Sequence, residues 1–514
     1  MTDAEDRAVV ALLFCATFGV GSMSFGSVFA AAGPLLASLA VYFLSACNLH
    51  ARALAVAPIS VRTFSDLGYF AFGGAGRRVV LLAEAGVCVL SPIAFLVLGG
   101  TTLLPFTFAG VAERSATEWI VLMALGVLPV VLIPTLKGTA PLCMLGCVAA
   151  LAADLTCVAF SLHHVRFSPR EAQLQPEYAV QTFGTIMFAM GTAVLIPSIQ
   201  RQHSQPGRVA NLVSLTLLFI TSIYLLIGIV TYYQFGCTAP ATLLDQLPPS
   251  PWRQLAAGFM LVHVVIAFPV LLNPTLFDLE RFVLGKDGDI EVLQQTLALS
   301  QAKTAAADGR PILGAAPTLA SLDTDAFVYG SSAGTSPYYQ HRSPTSTSAT
   351  ETSSLSASST AAATASAALM ETLVFQDDVT FTTRDRICSS LLRTATVALQ
   401  TLLAVMLQSS FMDILSLIGS TAITVSCMIM PCLCYLKVHP IATSSFMGWC
   451  DKALCHLIIV SSTVLGAYCT FVAARNISTN ISKYHLFQPA NATAAFMAGD
   501  ADDSYPFCIV GERN

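Results

Sequence analysis

GVGSMSFGSVFAAAG, residues 19–33, closes the first apolar run of the chain. It holds four glycines and three serines in fifteen residues. Glycine gains nothing from side-chain packing and loses much backbone freedom in a helix, so Gly19, Gly21 and Gly26 together predict a local break. A break frees N–H and C=O groups that hydrocarbon cannot satisfy. It is tolerated at membrane depth only where protein buries it or a polar cavity meets it, which makes this stretch a candidate binding site.

The membrane setting follows from composition. Hydrophobic residues make up 55% of the chain, charged residues 11% and mean hydropathy is +0.69. An ordinary soluble protein carries about 25% charge, so the class is a polytopic membrane protein with the lipid bilayer as its partner. The net charge of −5 resides in loops, and no basic block of nucleic-acid-binding type occurs. Most of the fifteen cysteines, such as Cys143, Cys147 and Cys157, lie inside apolar runs without zinc-type C-x-x-C pairs. No metal or cofactor is expected. Metal-spaced histidines and a phosphate loop are also missing, which argues against an enzyme. The first ten residues, MTDAEDRAVV, are acidic rather than basic, so no cleaved signal peptide is expected.

Apolar runs long enough to cross about 30 Å of hydrocarbon fall near 9–32, 34–56, 79–107, 118–136, 140–163, 182–200, 209–235, 253–275, 388–408, 411–436 and 452–474. Eleven spans place the termini on opposite sides. The sequons at Asn476, Asn480 and Asn491 all follow the last run, which predicts an exoplasmic, glycosylated tail over 476–514. Basic residues agree: nine, including Arg62, Arg77, Arg78 and Lys137, fall on the side of the N-terminus, against four in the opposite loops. The expected layout is a cytosolic N-terminus (1–8), helices 1–5 (9–163), helices 6–8 (182–285), a disordered cytosolic Ser/Thr/Ala-rich loop (286–385), helices 9–10 (386–436) and helix 11 (437–475). Within the loop, 289–303 could form a short amphipathic helix.

The sixth run reads FGTIMFAMGTAVLIPSIQ, residues 183–200, and Gly184, Gly191 and Pro197 predict a second interrupted helix. Interrupted helices at positions one and six point to an inverted repeat of five plus five helices, with a site at the midplane and one extra C-terminal helix. The expected fold class is therefore an all-α membrane protein.

Four motifs in order resemble the amino acid/auxin permease family of transmembrane amino acid transporters. The first is Gly19, Gly21, Met23, Phe25, Gly26, Phe29 and Gly33, with Gly26 where the family has proline. The others are Phe183-Gly184 through Pro197-Ser198-Ile199-Gln200, then Tyr224, Gly228 and Tyr232 to Gly236, then Ile418-Gly419-Ser420 through Pro431 and Tyr435. The resemblance spans nearly all membrane segments. It implies LeuT-like architecture and alternating-access amino acid transport, with proton- and sodium-linked members both known.

A zwitterionic substrate needs donors for its carboxylate and acceptors for its ammonium. Helix N-termini bind anions, which assigns the carboxylate to Gly21, Ser22, Met23, Ser24 and Gly26, with Gly19 as a further substrate-binding residue. Unwound carbonyls around Phe188, Ala189, Met190 and Gly191 are the candidate acceptors, with Gly86, Val87 and Ser91 as pocket walls. Ionisable groups at membrane depth cost roughly 2.5–3.5 kcal/mol even on insertion scales, and three stand out: Glu84, Asp154 and His263. Glu84 lies close to Arg77 and Arg78, whereas Asp154 and His263 are the candidates for proton coupling. The eighth run has no Ser or Thr from Ala256 to Pro274, so the sodium ligand set that the resemblance implies looks incomplete. The expected function is a secondary transporter of neutral amino acids, proton-coupled in preference to sodium-coupled, in the plasma membrane or an endolysosomal or vacuolar membrane. An amino-acid sensor signalling through the loop is the alternative. Cys237 and Cys508, both expected on the oxidising side, form a candidate disulfide.

Overall fold

Helix breakers, not helix formers, organise this chain, because nearly every apolar run is long enough to helicise unaided. The computed structural model describes residues 2–33, 64–110, 114–133, 139–164, 176–191, 193–203, 205–284, 383–438 and 446–483, with Ala46, Cys47, Leu49 and Ala53. All regular structure among them is helical. By backbone proximity the chain divides into two units: residues 1–57, 61–280 and 387–514 form one, and 58–60 with 281–386 the other. In the second unit only 281–284 and 383–386 are described, as the ends of two helices; the contacts and sites below lie in the first.

Helix α1 (Thr2–Thr17) gives way to a 3₁₀ turn (Ser22–Ser24) and then α2 (Phe25–Ala32), with a bend of 48° between the two helical parts. Helix α3 (Phe64–Leu98) runs through a π-helical stretch (Gly99–Leu103) into the short α4 (Leu104–Thr107). Helices α5 (Ala116–Val131) and α6 (Thr139–His164) follow. The second interrupted helix consists of α7 (Pro176–Ala189), a 3₁₀ turn (Ala193–Leu195) and α8 (Ile196–Gln202). Then come α9 (Pro206–Phe235), α10 (Pro251–Val283) and α11 (Thr383–Met406). A further span joins α12 (Phe411–Ile418), an eleven-residue π-helical stretch (Gly419–Ile429) and α13 (Met430–Val438), before α14 (Phe446–Lys483).

Among the described residues, seven helices are long and apolar enough to cross a membrane, or eight if the bent α1–α2 pair is one span. The expected run 34–56 lies outside the described residues except at four positions, as do the loop 285–382 with its expected helix at 289–303, and the tail from 484 with Asn491 and Cys508.

The sequence-based boundaries need three corrections. Gly184 does not interrupt its helix: it sits inside α7, where a Cβ would strike the backbone of Ser416, and Gly419 presses on Gly184 in turn. It is a packing glycine of the kind that lets membrane helices touch backbone to backbone. Gly26 is likewise not in the break but is the second residue of α2. Helix α14 continues to Lys483, past the expected end at 475, because its last turns have partners. Asn476 Nδ2 donates to Asp413 Oδ1 at 3.0 Å and Asn480 Nδ2 to Ser410 Oγ at 2.9 Å. Both sequon amides expected to carry glycans are thus engaged by the α11–α12 corner.

A buried charge cluster went unread in the sequence. Arg393 on α11, 2% exposed, donates from Nε to Glu280 Oε1 on α10 at 2.6 Å and from an Nη1 to Val131 O at the end of α5 at 2.7 Å. Ser389 donates to the same Glu280 oxygen at 2.6 Å, and Asn273 Oδ1 accepts from Arg393 at 3.0 Å. The guanidinium caps the orphan carbonyls of α5 while neutralising the glutamate, which is what allows a buried pair to persist.

Cys237, fully buried in a 3₁₀ turn after α9, is disulfide-bonded; its partner lies outside the described residues.

Candidate functional site

The first break is built by its own serines. The last bond of α1 runs from Phe18 N to Phe14 O, and Gly19 then takes a φ of +152°, a conformation that L side chains rarely adopt. Ser22 N bonds Gly19 O at 2.9 Å and Ser24 N bonds Gly21 O at 3.3 Å. The hydroxyls reinforce the same acceptors: Ser22 Oγ donates to Gly19 O at 2.6 Å, Ser24 Oγ to Gly21 O at 3.1 Å and Ser27 Oγ to Ser24 O at 2.9 Å. Short polar side chains that bond the nearby backbone offer it an alternative to the helix ladder. One expectation changes as a result. The N–H groups of Ser22, Ser24 and Phe25 are committed inside the turn and so are not free for a carboxylate.

The second break follows Ala189, with Met190 N within reach of Ile186 O and Met187 O, both at 3.2 Å, and Gly191 N of Phe188 O at 3.4 Å. Pro197 belongs to the first turn of α8, where a missing N–H costs nothing. Gly21 faces this break so closely that a Cβ would come within 2.6 Å of Ala189 Cβ and 2.7 Å of Ala189 Cα.

One side chain joins the two breaks. Tyr224 on α9 is 1% exposed, and its hydroxyl stands 2.7 Å from Thr17 O and 3.2 Å from Ala189 O, the last carbonyls before each interruption. Its ring stacks between Phe18 and Phe25, with centroids at 5.5 and 4.2 Å. A phenol in an apolar run must find an acceptor. That was the available signal: Tyr224 entered the sequence reading only as part of a motif, without a role.

Between the breaks lies a cavity of about 30 Å³. Of the residues named from sequence, Gly19, Gly21, Phe188, Gly191 and His263 line it, with Val87 and Ser91 as anticipated from α3. Ser22, Met23, Ser24, Gly26, Ala189 and Met190 are buried but off its wall, and Gly86 packs on Ala422. Missed were Cys15 to Phe18 and Val20 around the first break, and Phe95, Ala267, Leu271 and Ile423 from other helices. Ile423 reaches the wall from the π-helical stretch, whose register no periodicity in GSTAITVSC reveals. Among the described residues the lining carries no Asp, Glu, Lys or Arg, and His263 is the one imidazole. His263 is 2% exposed, its Nδ1 lies 3.0 Å from Gly146 O, and its Nε2 stands where a Cβ on Gly19 would fall. Asp154, on α6, is 3% exposed and off the cavity wall.

The family model described as transmembrane amino acid transporter protein matches residues 7–475. The chain belongs to that family; it is an integral membrane transporter and not an enzyme. Amino acid transporter AVT3B of Arabidopsis thaliana is 23% identical over 303 residues, covering 52% of this chain and 70% of that protein. Amino acid transporter AVT3C of the same plant is 25% identical over 316 residues, covering 52% and 68%. The crystal structure of MhsT in complex with L-phenylalanine aligns over 90% of this chain and 98% of its own at 10% identity, with a TM-score of 0.40.

Proposed function

We propose that the protein is a secondary active transporter of neutral amino acids, proton-coupled, working by alternating access around the cavity between the two breaks. Family membership makes an amino acid the substrate class. The observation that carries the finer reading is the lining: a charged side chain would have no counter-ion there, whereas small apolar ones meet Val87, Phe95, Phe188 and Ile423. At about 30 Å³ the cavity holds water rather than an amino acid, so transport requires the breaks to move apart from the helices facing them. The proposed architecture is eleven spans, a LeuT-like five-plus-five repeat with one helix added. The N-terminus is cytosolic and the C-terminus exoplasmic. Asn491 is the glycan acceptor of choice, since the amides of Asn476 and Asn480 are engaged. Protons are preferred to sodium because α10 offers no hydroxyl between Ala256 and Pro274 to ligate a hard cation.

Uptake into proteoliposomes with a panel of labelled amino acids, under separate proton and sodium gradients, tests this. Uptake of neutral amino acids driven by an imposed proton gradient is expected. Strict sodium dependence, or uptake of charged amino acids alone, would overturn the finer reading while leaving family membership intact.

A further inference from the structure

Asp154 is the one described carboxylate at membrane depth whose two oxygens both lack a hydrogen-bond partner. Glu280, by contrast, has Arg393 and Ser389, and Asp413 has Asn476. The groups facing Asp154 are Ser22 from the first break, Tyr224 from α9 and Cys157 from its own helix. The 3₁₀ turn Leu243–Gln246 also packs on α6, and its Asp245 is held by Thr242 Oγ1 at 2.7 Å. No cation stands against the Asp154 carboxyl among the described residues. A bare buried carboxylate is untenable, and such a group takes up a proton instead. Its O–H then needs an acceptor. Ser22 Oγ gives its own proton to Gly19 O, which leaves its lone pairs free to receive one from Asp154.

His263 is arranged differently. Gly146 O can only accept, so Nδ1 carries the hydrogen, and Nε2 lies against Gly19 as a lone pair on the cavity wall. A second proton there would charge a buried ring that no described carboxylate faces. The imidazole is a wall group able to accept from a substrate ammonium.

We propose that Asp154, and not His263, is the proton-binding group of the transport cycle, and that its state is read at the cavity through the Ser22 hydroxyl and the Gly19 carbonyl. This rests on the transport reading above. With the proton on Asp154, Ser22 holds the 3₁₀ turn closed through Gly19 O, the arrangement observed. When the proton leaves for solvent, the carboxylate draws the Ser22 hydrogen to itself and Gly19 O loses one of its two hydrogen bonds. The assembled site therefore belongs to the protonated form, which is the sign that symport requires.

Infrared difference spectra of the purified protein between alkaline and acidic buffer test the proton site without any transport assay. A buried carboxylic-acid band is expected, lost in Asp154→Asn and shifted in Ser22→Ala. In proteoliposomes, Asp154→Asn should keep amino acid exchange but lose proton-driven accumulation, while His263→Gln should raise KM and keep it. Asp154→Ser replaces the amide variant if that one fails to fold. A parent protein without such a band, a band that persists in Asp154→Asn, or undiminished proton-driven accumulation in that variant would overturn the proposal. A parent that carries no amino acid would instead overturn the transport reading, and the spectra would still decide the role of Asp154.

Discussion

The two helix breaks look alike in sequence and are held by different means. The first is stapled from within: the hydroxyls of Ser22, Ser24 and Ser27 bond carbonyls three residues back, and Gly19 supplies a backbone conformation that other residues avoid. The second has no serine in its turn and no glycine at positive φ. Its last helical carbonyl, on Ala189, is met by Tyr224 from another helix. A break can thus be written locally or borrowed from a neighbour, and only the first kind is fully visible in the chain that contains it.

Substitutions at equivalent places should expose the asymmetry. Gly19→Ala should have the largest effect: strain at positive φ and a methyl driven into the His263 ring add to a loss on the order of 4 kcal/mol, with transport abolished. Thermal unfolding in detergent beside uptake checks this, and a parental melting temperature would erase the distinction. Tyr224→Phe should come next. It leaves Thr17 O and Ala189 O without their shared donor, at a cost of about 1–3 kcal/mol. Faster amide exchange is expected at both breaks; an effect confined to one would mean that they are not coupled through this hydroxyl. Gly191→Ala should be the mildest, about 1 kcal/mol, because the three atoms nearest its new methyl all belong to the Ile423 side chain, at 2.8–3.2 Å, and none to backbone. If Gly191→Ala proved as damaging as Gly19→Ala, the second break would depend on its glycine after all.

How far these features could be read in advance depended on whether the cause was local. The break at Gly19–Ser24 was legible because flexible residues and hydroxyls sit in the very turn they make. Gly184 misled because a glycine that lets two backbones touch has the same composition as one that turns the chain, and Gly26 because it falls just past the turn, inside α2. Arg393 went unread inside the expected run 388–408, yet it is 2% exposed and paired with Glu280, 113 residues away. Asn476 and Asn480 read as a free tail because their acceptors, Asp413 and Ser410, belong to another helix.

What the sequence determined by itself is whatever depends on neighbours along the chain: the membrane class, the position of most helices, the first break and the absence of a charged side chain from the cavity-lining part of α1. Hydrocarbon enforces these, since every backbone polar group must be satisfied within its own segment or expose a fault. The tertiary structure alone decided which glycine is a hinge and which a contact, which hydroxyl closes which carbonyl, and that Asp154 faces Ser22 while His263 faces the cavity. Those outcomes depend on residues brought together from runs far apart in sequence, and no periodicity within a single run encodes which face meets which.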